Sequence, residues 1–152
     1  MAHEHPRSTA KIKGHPIHPM LIPFPIALWA GTLFCDVAYW YTGAAGWAVA
    51  AAWLLGGGLV MAALAAVAGF TDFLGSERIR ALSHAWQHMI GNLAAVSVAA
   101  VNLILRLADP AAAVIPTGLI LSAAVALILS FTGWLGGELV FRHRVGVADQ
   151  PE

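Results

Sequence analysis

The chain has 152 residues, of which 59% are hydrophobic and 11% are charged. Because an ordinary soluble domain carries about 25% charged residues, this composition excludes a typical water-soluble fold. The formal net charge of zero gives no support to a nucleic-acid partner, and the sequence carries no nucleic-acid-binding motif.

The charged residues crowd into segments 3–13, 72–80 and 142–152, which leaves four long apolar blocks. Each block is about 20 residues long, enough for a helix to cross a bilayer. The sequence therefore predicts an all-α integral membrane four-helix bundle over residues 20–141, with polar tails at 1–19 and 142–152. The predicted helices cover roughly residues 25–41, 47–70, 81–107 and 113–141.

The orientation of the bundle is predicted from its Lys and Arg residues. Apart from Arg106, just inside the end of the third helix, they lie before the first helix, between the second and third helices, and after the fourth. Four crossings put these three segments on one side, which the positive-inside rule assigns to the cytoplasm. Both termini are therefore expected in the cytoplasm. The first apolar run follows a proline cluster rather than a basic segment, so no cleavable signal peptide is expected.

A short internal repeat ends the second and fourth helices. "FTDFLGSE" at 70–77 and "FTGWLGGE" at 131–138 are identical at Phe, Thr, Leu, Gly and Glu. The match predicts two tandem helical hairpins, related by a pseudo-twofold axis along the membrane normal; a chance match is the alternative. Glycines at 56–58, 133 and 137 are typical of close contacts between membrane helices.

Histidines accumulate at the entries of the first and third helices. In "GHPIHP", His15 and His18 each precede a proline, which favours extended geometry for both and a regular helix only from about Pro25. In the third helix, His84, His88 and Asn92 are four residues apart and share one face.

His88 would lie about 10 Å inside the apolar layer, where an ionisable residue is a functional candidate. The alternative is a neutral histidine that is hydrogen-bonded to a neighbouring helix.

The sequence resembles a known family in three places. They are the start "GHPIHPMLIPFPIAL", the third-helix His with Asn four residues later, and the finish "GWLGGELVFRHRVGV". These resemble the bacterial four-helix membrane family catalogued as domain-of-unknown-function family 2231, which has no settled activity. The resemblance implies a multi-pass protein of the bacterial cytoplasmic membrane. Some members are joined to Rieske-type iron–sulfur domains, which points toward electron transfer with a quinone or a redox protein as partner.

A b-type haem suits histidines on two separate hairpins, because its two axial imidazoles must come from different elements. His18 and His88 are the leading pair, and His15 with His84 would allow a second haem. The predicted function is thus a cytochrome b-like electron carrier. Arginines near the same end would bind the haem propionates, and aromatic residues would wall the ring. These are Arg78, Arg80 and Arg142, and Phe24, Trp86, Phe131 and Trp134.

Two other functions stay open. His84, His88 and Glu138 form an alternative set of ligands for Zn, Ni or Cu, in a metal-binding or metal-transport protein. Against transport, no chain of polar residues crosses all four helices, and Asp36 and Arg106 are expected to neutralise each other. The other alternative is a noncatalytic assembly subunit, and a homo-oligomer is possible in each case. No hydrolase motif is present, so an enzymatic activity would be redox chemistry.

Overall fold

Four long helices form the fold of this computed structural model, which describes residues 5–147. We call them the first to fourth spans: Ile17–Thr42, Ala45–Gly75, Ser83–Arg106 and Pro110–Arg142. All four are long and apolar enough to cross a membrane. The predicted all-α bundle of four apolar helices is thus confirmed, and each predicted helix lies within or close to one span.

The spans contain shorter elements in chain order. Their bounds are β1 Lys11–Ile12, β2 His15–Pro16, α1 Ile17–Leu21, α2 Pro23–Thr42, α3 Ala45–Gly75, α4 Glu77–Arg80, α5 Ser83–Arg106, α6 Pro110–Ala113, a π-helix Val114–Gly118, α7 Leu119–Gly137 and a second π-helix Glu138–Arg142. The first span joins helices α1 and α2, the second is α3, the third is α5, and the fourth joins α6 and α7 through π-helical turns.

The helices pack as two hairpins that close into a ring. Helix α2 packs along α3, and α5 packs along α7. Helix α2 also contacts α7, and α3 contacts α5. The first and third spans therefore stand on one diagonal of the bundle, so that residues at their entries can face each other across it.

The first span begins earlier than predicted, and this changes the conformation of His18. His15 lies in an extended strand, as its following proline predicts. His18, however, is helical, in α1. Pro19 is the third residue of that helix, where its missing N–H would have had no helical partner. The prediction of extended geometry at His18 was therefore wrong.

A two-stranded β-hairpin lies directly before α1. Ile12 pairs with His15 across a two-residue turn. Both turn residues, Lys13 and Gly14, have positive φ, at 48° and 84°. This is the twist that two-residue hairpins favour, and the second position is one that glycine adopts without strain.

A glycine allows close packing between the first and second spans, but not every glycine predicted at a helix contact lies at one. The Trp29 indole lies directly over Gly58, where no side chain would fit, and donates a hydrogen bond to the Leu55 carbonyl at 3.3 Å. Gly133, in contrast, has nothing within 4 Å of the position a side chain would take. The predicted close contact at Gly133 is therefore wrong within the described chain.

A buried ion pair connects the first and third spans. Arg106 donates two hydrogen bonds of 2.7 Å to the two carboxylate oxygens of Asp36. Asn102 and Ser122 complete the network: Arg106 Nε donates to Asn102 Oδ1 at 2.9 Å, and Ser122 Oγ donates to Asp36 at 2.6 Å. All four residues are at most 3% exposed. The predicted pairing is confirmed, and it belongs to a fully packed network.

Removing one member of this pair will destabilise the bundle. Asp36→Ala leaves the Arg106 guanidinium buried without a counter-charge, which should lower the free energy of unfolding by about 3–5 kcal/mol. Denaturant unfolding in detergent measures the loss. The matched control is Arg142→Ala, because the Glu138–Arg142 pair is exposed on its Arg142 side and should contribute less than about 1 kcal/mol. Equal losses in the two variants would contradict this account.

Candidate functional site

His18 and His88 face each other at one end of the bundle. His18 lies in α1 and His88 in the second turn of α5, on the two diagonal spans. Their ring centres are 6.2 Å apart and their planes are nearly perpendicular, at 85°. The two residues come from opposite hairpins, so the site exists only when the hairpins are packed together.

Both imidazoles are held through the same nitrogen. His18 Nδ1 lies 2.8 Å from the Ala65 carbonyl oxygen, and His88 Nδ1 lies 2.9 Å from the Thr132 carbonyl oxygen. A carbonyl oxygen can only accept, so each Nδ1 carries the proton and donates it. In a neutral imidazole this leaves the Nε2 lone pair available, which is how metal-binding histidines are commonly oriented.

A glycine on the same helix leaves each of these carbonyl oxygens uncovered. Gly69 lies four residues after Ala65, and Gly136 four residues after Thr132. A β-carbon at Gly69 would stand 2.9 Å from His18 Nδ1, and one at Gly136 would stand 3.2 Å from His88 Cε1. We call this arrangement a glycine notch: a helix carbonyl with glycine four residues later. The second lone pair of that carbonyl accepts the bond.

A third glycine notch holds a residue of the amino-terminal segment. Thr9 Oγ1 donates to the Thr71 carbonyl at 2.9 Å and lies against Gly75. Thr71 and Gly75 occupy the same positions in the first copy of the repeat as Thr132 and Gly136 in the second. The repeat thus provides one notch per hairpin, but only the second copy holds a histidine.

Asn92 supports His88 through a closed set of hydrogen bonds. Its side-chain amide donates to the His88 carbonyl at 2.7 Å, and its Oδ1 accepts from Thr132 Oγ1 at 3.3 Å. The Thr132 carbonyl in turn accepts from His88. Asn92 therefore fixes α5 against α7 at the level of the His88 ring.

Asp72 ties the amino-terminal segment to the same end of the bundle. Its Oδ1 accepts hydrogen bonds from the backbone N–H groups of Thr9 and Ala10, both at 2.7 Å, and from Ser8 Oγ at 2.8 Å. Sequence reasoning treated residues 1–19 as a polar tail and missed this attachment. The one available signal was the repeat itself, in which Asp72 replaces the glycine found at 133.

Other predicted site residues have different partners. His15 is exposed and bonds the Lys13 carbonyl at 3.1 Å, whereas His84 pairs with His143. Glu138 forms an ion pair with Arg142 at 3.3 Å. Within residues 5–147, no three His, Cys, Asp or Glu side chains are grouped closely enough to hold a metal ion. The alternative metal set of His84, His88 and Glu138 is therefore not assembled.

The predicted propionate partners and ring walls also have other surroundings. Arg80 donates to the carbonyls of Phe73 and Leu74, at the end of α3. The four aromatic residues predicted to wall a haem are between 45% and 59% exposed on the outside of the chain. These side chains thus lie on the outer surface of the bundle, and their place beside a haem stays a prediction. The outward aromatic residues are Phe24, Trp86, Phe131 and Trp134.

These features define a class of protein: a four-helix bundle of the membrane type with a two-histidine site between its hairpins. The family model described as "Predicted membrane protein (DUF2231)" matches residues 14–149. The chain therefore belongs to this family, and the predicted resemblance is confirmed. No curated protein and no solved structure matches the chain.

The notch at Gly69 makes a direct prediction. Gly69→Ala forces the His18 ring away from the Ala65 carbonyl and should lower the free energy of unfolding by about 1–3 kcal/mol, the cost of an unmade hydrogen bond. Gly133→Ala is the matched control. It meets open space and should stabilise its helix by up to about 1 kcal/mol. Unfolding in detergent compares the two, and a stabilised Gly69→Ala variant would contradict the notch.

Proposed function

We propose that this protein is a membrane-bound b-type haem protein, a cytochrome b-like electron carrier with His18 and His88 as axial ligands. The observation that supports it is the pair of facing imidazoles from different hairpins, 6.2 Å apart between ring centres. Two imidazoles on opposite sides of one metal ion, each bound at about 2 Å, would have their ring centres about 6 Å apart. The observed separation fits this arrangement.

At the His18–His88 pair, the number of available ligands also favours haem over a structural or catalytic metal ion held by protein ligands alone. A structural zinc site needs four protein ligands, and a catalytic site needs three. The described part of the chain assembles no such group. The macrocycle of haem supplies the remaining ligands itself, so two imidazoles are sufficient.

The surroundings of the two histidines suit axial ligands. Each Nδ1–H donates to a backbone carbonyl, which orients the ring and holds the proton on Nδ1. Gly69 and Gly136 allow the two rings to lie directly against their helices, because a β-carbon at either position would press on the ring. A bound b haem would supply one-electron chemistry, and the chain would bind it, hold its orientation and exclude water from it.

The proposal includes an orientation. The basic segments before the first span, between the second and third spans and after the fourth span all belong to the end of the bundle that carries the histidines. The positive-inside bias supports placing this end in the cytoplasm of a bacterium. Arg78, Arg80 and Arg142 would then supply positive charge near the propionates. A quinol or a Rieske-type protein is the proposed redox partner.

The first test is a reduced-minus-oxidised visible spectrum of the detergent-purified protein from haem-replete cells, with iron measured in parallel. We expect a sharp α-band of a low-spin b haem. His18→Ala and His88→Ala should each abolish that low-spin signature, because each removes one axial ligand.

The matched control is His5→Ala, which removes a histidine of the amino-terminal segment and should keep the spectrum. A colourless wild-type protein that is folded by circular dichroism would overturn the proposal. An unchanged α-band in both ligand variants would show that the axial pair is a different one.

Thiol labelling tests the orientation. In a Cys35→Ser background, Ala44→Cys lies between the first and second spans, and Ser76→Cys lies between the second and third. We expect a membrane-impermeant maleimide to label position 44 in intact cells and position 76 only after permeabilisation. The reverse pattern would invert the orientation and leave the haem proposal untouched.

A further inference from the structure

A second histidine pair lies at the rim of the bundle, one helical turn from His88. His84 Nδ1 and His143 Nε2 are 3.0 Å apart, with ring centres 5.2 Å apart. His84 is the second residue of α5, and His143 directly follows the last π-helical turn of the fourth span. The pair therefore joins the two ends of the second hairpin.

Packing holds both backbones in place. Ala85, next to His84, is buried in a small cluster with Phe73 and Ile79, and Val145 packs against that same cluster. The Val145 N–H also donates to the Leu139 carbonyl at 2.9 Å. The two rings are thus positioned by a shared core rather than by their mutual contact alone.

The distance between the two facing nitrogens also suits the binding of one metal ion. Two imidazole nitrogens bound to one tetrahedral or square-planar ion, each at about 2 Å, lie about 3 Å apart. The 3.0 Å between His84 Nδ1 and His143 Nε2 is the length of their hydrogen bond and is close to this distance. The two nitrogens can therefore bind one ion once the rings rotate to turn both lone pairs toward it. Both side chains are half-buried, so an ion and its water ligands can reach them.

The local charges are compatible with a cation. His143 is flanked in sequence by Arg142 and Arg144. Arg142 is paired with the Glu138 carboxylate at 3.3 Å, and Arg144 is exposed, so that water and salt screen its charge. His143 also lies at the carboxyl end of the fourth span, where the helix dipole favours positive charge.

We infer that His84 and His143 form a binding site for a divalent transition-metal ion of the zinc, copper or nickel type, with water completing its coordination. The proton now shared between Nδ1 and Nε2 moves to the other nitrogen of its own ring, so two neutral imidazoles bind the ion without a net change in protonation. Mg²⁺ prefers oxygen ligands and should not bind. The site is separate from the proposed haem ligands His18 and His88.

The test is thermal unfolding of the untagged, full-length protein in detergent, with Zn²⁺ or Cu²⁺ added and Mg²⁺ as the control ion. An ion that binds only the folded state raises the melting temperature in a concentration-dependent way. We expect this rise in the wild type with Zn²⁺ and Cu²⁺ but not with Mg²⁺. His84→Gln and His143→Gln should each lose it, because a carboxamide can keep a hydrogen bond but is a poor ligand for these ions.

The matched control is His5→Gln, which should keep the full wild-type rise. The metal-free melting temperature of each Gln variant shows that it is folded. A wild type that does not respond to Zn²⁺ or Cu²⁺, or a full response in both Gln variants, would overturn the inference. The visible spectrum separates this site from the haem proposal, since neither Gln variant removes His18 or His88.

Discussion

The structure depends on one constraint: a polar group in hydrocarbon must find its partner inside the protein. Among the described residues, every buried side-chain nitrogen and oxygen has a hydrogen-bond partner. The polar partners are concentrated in two layers, the Asp36–Arg106 network near one end and the His18–His88 level near the other. Lipid gives apolar helices no reason to prefer one neighbour over another. These two layers therefore select which helix faces meet.

The glycine notches show how the histidine layer is built from backbone. A helix carbonyl already bonds within its helix, but its second lone pair can accept a donor if no side chain covers it. Glycine four residues later removes that cover. The same device holds His18, His88 and Thr9 in three places. The two repeat copies thus share a backbone feature, while their bound side chains differ.

Local features of the sequence predicted most of the fold, because the length of an apolar run sets the length of a span. The internal repeat also pointed to His18 and His88 as partners across the bundle, and the structure brings their rings together. The start of the first span could not be predicted, because Pro19 is compatible with either a strand or a first helical turn. The partner of His84 depends on how the fourth span ends, in π-helical turns that no local pattern indicated.

The two histidine pairs differ in the acceptors of their ring N–H groups, and this difference determines which nitrogens are available to a ligand. In the inner pair each ring donates to a backbone carbonyl, so both Nε2 lone pairs stay available for a ligand between the hairpins. In the rim pair one ring donates to the other, so the two nitrogens that approach each other share a single proton. An ion at the rim must displace that proton, whereas an ion between His18 and His88 displaces none. The inner pair therefore keeps both Nε2 lone pairs available in its neutral form, whereas one ring of the rim pair must change its tautomer before both facing nitrogens can bind an ion.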